Sequence, residues 1–332
     1  MTPAVGPSRA TPSPGEVPSR KQKLVYILGT GRCGSTVLEI VLGSHPKIQA
    51  TGEFHGIPFP KWMPGTVCAC GQEFDHCPLW SKVYVEYHKY VDFDRQLKTQ
   101  SRFEYHRSLP RALFHRMLGT AEIREHARGM SDLIRVIAQC SGKEVVSESS
   151  KSAARGYMYS LARSSEFDVY YIHLVRDGRG YMFSRSSVPD GAGYGKKKEV
   201  SSAGMLALRW VGPNLLAMLL CSRPRDRYLR IRYEDFVEHP VDVLEQVGRF
   251  IGLDMTPVIE KVRDRRPIPV SHLLGGNRLR FSPTITLESR FTNRTPGSRR
   301  IRWAFWVLGG WMAFLYGYQR GGRSGGDARA SG

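Results

Sequence analysis

The stretch Lys23-Leu-Val-Tyr-Ile-Leu-Gly29-Thr-Gly-Arg32-Cys-Gly34-Ser35-Thr36-Val-Leu-Glu-Ile-Val-Leu-Gly43 constrains this chain more than any other. Leu24 to Leu28 is a short apolar run with β-branched residues, which predicts a strand buried on both faces, and the glycines that follow force a turn. From Gly34 to Leu42 apolar residues recur at helical spacing, with Ser35 and Thr36 in the first turn and Gly43 placed to follow the last. A helix that opens on a glycine-rich loop points free backbone N–H groups at one spot, and its dipole makes that spot attractive to an anion. The expectation is a phosphate cradle.

The loop departs from the nucleotide-triphosphatase pattern G-x-x-x-x-G-K-[ST] at one position: the spacing from Gly29 to Gly34 fits, but Ser35 stands where the lysine belongs. The charge lies inside the loop, at Arg32. This arrangement resembles the 5′-phosphosulfate loop of sulfotransferases that use 3′-phosphoadenosine 5′-phosphosulfate (PAPS), in which Gly31, Arg32, Cys33, Gly34, Ser35 and Thr36 would hold the donor. A second motif supports the resemblance. Asp168 to Val175 reads as a strand running into Arg176-Asp-Gly-Arg179, with Ser184 eight residues after Arg176, similar to the 3′-phosphate motif of the same family. Arg176 offers a charge-assisted grip on a phosphate and Ser184 a hydroxyl. Between the two motifs, Glu144 to Ser147 reads as a further strand, ending in Glu148-Ser-Ser-Lys151-Ser at a helix start. In open α/β sheets ligands bind beyond the carboxyl ends of the strands, so Lys151 is expected to face the same crevice as Arg32.

Other stretches resemble the family as well. Trp210 and Asn214, on a helix predicted over Met205 to Leu220, resemble a W-x-x-x-N helix beneath the substrate cleft. Tyr228 to Arg232 reads as a strand leading into Tyr233-Glu-Asp-Phe-Val and a helix that ends near Leu253, with the acids expected to cap a helix or hold a basic residue. His272-Leu-Leu-Gly-Gly-Asn-Arg278-Leu-Arg280 resembles a late loop that closes over the cofactor, which makes Arg278 and Arg280 candidate phosphate ligands. The resemblance covers about residues 23 to 318. It implies a mostly parallel sheet with helices on both faces, the P-loop nucleotide-kinase-like architecture.

The composition agrees with a globular protein whose partners are anionic: 41% hydrophobic, 24% charged, net charge +19. Nucleic acid is not favoured, because no zinc-finger spacing, RNP-like aromatic motif or helix-turn-helix signature accompanies the charge. No apolar segment follows Met1, so the expectation is a cytoplasmic protein without a leader. Six cysteines over 332 residues do not make a disulfide framework.

Residues 1–20, rich in proline and serine, cannot bury enough surface to offset their ordering entropy and are expected to be disordered, as are residues 319–332. Residues 21–300 are expected to form the sulfotransferase domain, with 56–139 a helical insertion or lid covering one side of the sheet. Cys68-Ala-Cys70-Gly and His76-Cys77-Pro-Leu-Trp80 suggest a metal knuckle, but three cysteines and an adjacent histidine lack paired C-x₂-C spacing, so no metal ligands are expected there. A similar C-x-C-G…C-P-x-W segment occurs in bacterial sulfotransferase-like proteins, where it reads as a structural lid or redox-sensitive insert. Pro189 to Lys198 reads as a glycine and lysine lid. Ile301 to Tyr318 is mostly apolar; a docked terminal helix is expected first, interfacial membrane contact second and a true span last.

Thr51-Gly52-Glu53-Phe54-His55-Gly56 places a carboxylate and an imidazole in a glycine-bounded turn near the phosphate loop. Within the resemblance, Glu53 would take the proton from an acceptor hydroxyl, with His55 as alternative base or substrate contact. Lys151 and Arg32 would stabilise the sulfuryl oxygens and the leaving phosphate, a chemistry that requires no metal. The acceptor would be a hydroxyl of a carbohydrate, glycolipid or small molecule. Two rivals remain at this stage: a P-loop kinase or NTPase, and a non-catalytic protein that binds an anionic surface.

Overall fold

The computed structural model describes residues 21–53, 66–164, 166–186, 202–287 and 299–320. Both expected tails lie outside these residues apart from Gln319 and Arg320, as do His55, the turn around it and the glycine and lysine loop.

A five-stranded parallel sheet organises the molecule: β1 (Gln22–Gly29), β2 (Ile48–Ala50), β3 (Val145–Lys151), β4 (Phe167–Val175) and β5 (Tyr228–Arg232), in the order β2-β3-β1-β4-β5. β1 is the centre because it is apolar on both faces. Leu24, Tyr26 and Leu28 enter one hydrophobic cluster and Val25 and Ile27 the other. Between β1 and β2 lies α1 (Ser35–Gly43); between β2 and β3 come α2 (Trp80–Tyr87), α3 (Phe93–Phe103), α4 (Leu109–Met117) and α5 (Ala121–Ser141). This helical region covers one face of the sheet, where Met130, Leu133, Ile134 and Ile137 of α5 pack with Leu24, Tyr26 and Val146. α6 (Ala153–Leu161) joins that face, α7 (Gly178–Ser186) follows β4, and α8 (Ala203–Cys221) leads to β5. On the opposite face α1 is joined by α9 (Tyr233–Glu238), α10 (Pro240–Ile251) and α11 (Thr256–Arg263). β6 (Ile268–Pro269) and β7 (Thr284–Ile285) form a short antiparallel pair, and α12 (Arg299–Leu315) closes the described chain.

Two boundaries differ from the sequence expectation. Gly43 belongs to α1 instead of following it, and its lack of a side chain serves packing, since a Cβ there would stand 2.5 Å from the Ala50 Cβ; Ser44 ends the helix, its hydroxyl donating to the Val41 carbonyl. β3 does not stop at Ser147 but runs on through Glu148, Ser149 and Ser150 to Lys151. Polar residues can be buried there because their partners come with them.

Those partners form a buried ion network. Arg155 Nε donates to Glu148 Oε1 at 2.6 Å, and another arm of its guanidinium pairs with Glu104 at the end of α3. The Tyr159 hydroxyl donates to the second Glu148 oxygen, and His126 Nε2 stands 3.0 Å from Glu104. Burial alone would raise the Glu104 carboxyl, but the Arg155 and His126 charges overcome it and hold the group at about 2. All three ions are at most 2% exposed. Replacing Arg155 with Ala leaves two carboxylates buried without their cation, so Arg155→Ala is expected to lower unfolding free energy by about 3–5 kcal/mol in urea titrations.

α12 docks on α8 through Phe305, Gly309, Gly310, Met312 and Ala313. Its other face is exposed at Trp303, Val307, Trp311, Phe314 and Leu315. Among the described residues one helix, α8, is long and apolar enough to cross a membrane; Leu206, Ala207, Trp210, Val211, Asn214, Ala217 and Cys221 are buried in the protein.

Candidate active site

The carboxyl ends of all five strands lie at one edge; the glycine loop follows β1, Glu53 follows β2, Lys151 ends β3 and Arg176 follows β4, while the loop carrying Arg278 and Arg280 follows β6. After β1 the chain turns through Gly29, Arg32 and Gly34, all with positive φ (149°, 71° and 97°). Gly34 is required twice over, since a Cβ there would stand 2.2 Å from the Tyr233 ring at the end of β5. Ser35 and Thr36 then open α1, where first-turn amides have no acceptor within the helix. Cys33 is fully buried beneath the loop, and burial pushes its thiol above the ordinary range. Its side chain packs beneath the loop, while Gly31 and Arg32 are exposed.

β3 reaches the crevice by an irregularity. Tyr26 pairs with Glu148 but Leu28 with Lys151, so β3 carries an extra residue there, and Lys151 itself has φ of 65°. Among the described residues the non-glycine positions with positive φ are Arg32, Lys151 and Arg265, and the first two are both candidate catalytic cations. Such conformations cost of order 1–3 kcal/mol each and persist where surrounding structure imposes them. Lys151 Nζ donates to the Ser149 carbonyl at 2.9 Å and pairs with Glu53 Oε1 at 2.5 Å. The structure thus brings together Glu53 and Lys151, residues nearly a hundred positions apart.

Glu53 is held through the two residues before it and by the late loop beside it. Glu39, the lone charge in α1, accepts the Thr51 and Gly52 amides on Oε1 at 3.1 and 2.8 Å, and Leu274 donates its amide to the Thr51 carbonyl. Gly52 and Gly275 let two backbones touch: a Cβ on Gly275 would stand 2.5 Å from the Glu53 carbonyl oxygen. Asn277 donates its amide to the Thr36 hydroxyl, so the late loop closes onto the first turn of α1. Arg278 beside it is exposed. Arg280, the other candidate phosphate ligand, donates through Nη1 to the Val67 and Leu273 carbonyls and lies over the Phe281 ring. Arg280 braces the loop.

After β4, Arg176 Nη1 donates to the Arg32 carbonyl at 3.1 Å, and its guanidinium lies over the Tyr233 ring. Its Nε is buried with no partner, an orphaned donor beside the phosphate loop. Trp210 Nε1 donates to the Arg176 carbonyl. Asn214, one turn on, accepts from His173, and burial keeps that ring neutral down to about 4. Glu234 accepts the Asp177 amide on one oxygen and the Tyr318 hydroxyl on the other, so the acid expected to cap a helix or hold a base fixes the Arg176 turn. Ser184 is half-buried on α7. Arg179 pairs with Asp177 at 2.6 Å.

The cysteine segment is completed by a residue that the sequence placed elsewhere. Cys68, Cys70 and Cys77 converge with His272, while His76 pairs with Asp75. No spacing rule links Cys77 to a histidine 195 positions away.

Five parallel strands with helices on both faces, and a glycine loop between β1 and α1, define an α/β protein. Residues 168–257, from β4 into α11, match the model of the sulfotransferase family. The chain is 30% identical over 117 residues to carbohydrate sulfotransferase 3 of Homo sapiens, an alignment covering 31% of this chain and 24% of that protein. The counterpart from Tetronarce californica is 28% identical over 116 residues, covering 32% and 26%. The chain thus spans about a quarter of the length of the curated relatives it matches. Among solved structures, the sulfotransferase domain of the curacin biosynthetic pathway aligns with TM-score 0.48 and 16% identity over 91% of this chain and 99% of that one. The sulfotransferase domain of the Synechococcus PCC 7002 olefin synthase aligns with TM-score 0.48 and 19% identity over 91% and 98%.

Two tests follow from this geometry. Burial pushes the Glu39 carboxyl from 4.5 to about 7, against the hydrogen bonds it accepts. The folded chain therefore keeps a proton that the unfolded chain releases near 4.5, and the resulting stability, full below 4.5, is lost as pH rises to 7. Unfolding free energy is expected to fall between pH 5 and 8 by about 2–3 kcal/mol more in the wild type than in Glu39→Gln, which retains the amide acceptor. His173 runs the opposite way in both proteins and cancels in the comparison. At Arg32, the left-handed backbone predicts that Arg32→Gly melts higher than Arg32→Ala, by about 1 kcal/mol, although both lose the cation.

Proposed function

We propose that this chain is an enzyme that transfers a sulfuryl group from PAPS to a hydroxyl of a carbohydrate, glycolipid or small-molecule acceptor. The observation that carries this reading is the meeting of the two phosphate motifs: Arg176 reaches the Arg32 carbonyl and still presents an unpartnered buried Nε. A phosphate oxygen suits that donor. Arg176, Ser184 and Arg278 would hold the 3′-phosphate, and residues 31–36 the 5′ end. When bound, PAPS supplies the sulfuryl group and the leaving phosphate.

The chain's own residues then divide the work. Glu53 takes the acceptor proton, and Lys151, Arg32 and the α1 amides stabilise charge on the sulfuryl oxygens and the leaving group. Lys151 is shared between Glu53 and the Ser149 carbonyl, so turning its ammonium toward a sulfuryl oxygen releases Glu53 as a base. The transfer itself uses no metal. His55 stays in this reading as an alternative base or acceptor contact. The curated relatives' carbohydrate acceptors favour a sugar hydroxyl here. Unpaired cysteines suit a reducing cytoplasm, and the exposed Trp303, Val307, Trp311 and Phe314 face of α12, with Arg299, Arg300 and Arg302 beside it, suits peripheral contact with an acidic membrane. Nucleic acid is not part of this reading.

The 3′,5′-bisphosphate product, at a hundredfold excess over Kd, is expected to stabilise the fold by about 2.7 kcal/mol, AMP far less, and Arg176→Ala should lose most of the effect. Equal stabilisation by ATP with magnesium would instead indicate a kinase or NTPase. In an acceptor screen with radiolabelled PAPS, Glu53→Gln is expected to cut turnover roughly 10² to 10⁴-fold while binding the bisphosphate normally. Loss of turnover in His55→Ala alone would move the base to the imidazole. A protein that transfers no label to any acceptor would be a binding protein.

A further inference from the structure

The cysteine segment and the late loop are held together by four side chains whose arrangement has a chemical meaning. Cys70 Sγ lies 3.7 Å from Cys77 Sγ, and His272 Nδ1 lies 3.3 Å from Cys77 Sγ and 3.8 Å from Cys68 Sγ. All four ligand atoms fall within 4.8 Å of one another. A tetrahedral zinc ion with bonds of about 2.3 Å to sulfur and about 2.0 Å to nitrogen needs edges of about 3.8 Å between sulfurs and about 3.6 Å between sulfur and nitrogen. The observed separations are of that size. They are too long for a disulfide, whose sulfurs stand about 2.05 Å apart, and three thiols cannot all pair.

We propose that Cys68, Cys70, Cys77 and His272 form a structural zinc site. The local fold presents the ligands as a knuckle. Val67 and Glu73 form an isolated antiparallel bridge, Cys68 donates its amide to the Gln72 carbonyl, and Gly71 takes a φ of 86° to turn the chain. Cys77 follows in a turn that runs into α2, where Trp80 Nε1 donates to the His272 carbonyl at 2.9 Å and fixes the fourth ligand from behind. Cys68 and Cys77 are fully buried, His272 is half-buried and Cys70 is exposed, so three ligands are sheltered and Cys70 closes the site from outside.

Four protein ligands leave no open position, which marks a structural metal and not a catalytic one. Its consequence lies in what it fastens. Ala69 donates its amide to the Leu273 carbonyl, Leu274 donates to the Thr51 carbonyl, and Asn277 holds Thr36. The zinc would stake residues 68–77 to the loop that abuts Glu53 and α1, and this role stands whether or not the sulfuryl-transfer reading is correct.

The test is metal content of the full chain purified without chelator. Elemental analysis is expected to give about one zinc per chain, with His272→Ala and Cys77→Ser losing it and Cys140→Ser and Cys221→Ser retaining it. Because Cys77→Ser can fail to fold, the wild type and His272→Cys are also loaded with cobalt(II). Both should show the intense visible bands of tetrahedral cobalt with thiolate charge transfer, and the thiolate band should grow in His272→Cys. Chelation should lower the wild-type melting temperature. Wild-type protein that is folded but metal-free with every thiol titratable would overturn the proposal, as would zinc retained in His272→Ala or a Cys70–Cys77 disulfide found by mass spectrometry.

Discussion

Arg155 sits where two carboxylates from different layers meet, and the crevice depends on that meeting. Glu148 belongs to β3 and Glu104 to the helical layer above it; without the cation between them, neither could be buried at 1% exposure or less. The network fixes the last residues of β3 from beneath. Ser152, which caps α6, donates to the Glu104 carbonyl, and the Tyr26 hydroxyl of β1 donates to the Ser152 carbonyl. The three elements are therefore locked one residue away from Lys151. A strained lysine can be kept in place only by surroundings of this kind.

The rest of the crevice is made by close approach. Tyr233 lies against Gly34, Gly275 against Glu53, and Arg176 reaches the Arg32 carbonyl, so the ends of β1, β2, β4 and β5 constrain one another. Several of the cations so common in this chain are consumed by such bracing. Arg280 holds two carbonyls, Arg179 holds Asp177, and Arg227 holds Asp168. Arg176 keeps a free donor, which is why charge alone would have been a poor guide to the site.

What was legible in the sequence follows from locality. β1, its loop and α1 are contiguous, and Lys151 and Arg176 each stand at the carboxyl end of a readable strand, so simple strand-end geometry puts both at the same edge of the sheet. β3 was read too short because the polar Glu148, Ser149 and Ser150 look like a loop until Arg155 and Tyr159 are seen to satisfy Glu148. The bracing contact of Arg280 was not legible because its carbonyl partners lie as far away as Val67. Glu39 carried a usable signal, a charge inside an apolar helix, but its acceptor role depends on a turn beyond β2. His272 carried none, since its partners are 195 and 204 residues away.

The register of β1 has a consequence for how this chain is born. Lys23 pairs with Val145 on one side and with Asp168 on the other, so the central strand, first to be synthesised, has no neighbour until more than a hundred further residues exist. At about 5–20 residues per second the ribosome needs on the order of ten seconds to supply them. Throughout that interval the five-residue run from Leu24 to Leu28, fully buried when folded, is an uncovered apolar strand. The nascent chain is exposed to aggregation or chaperone capture at β1, and that exposure ends only when β3 and then β4 have been made.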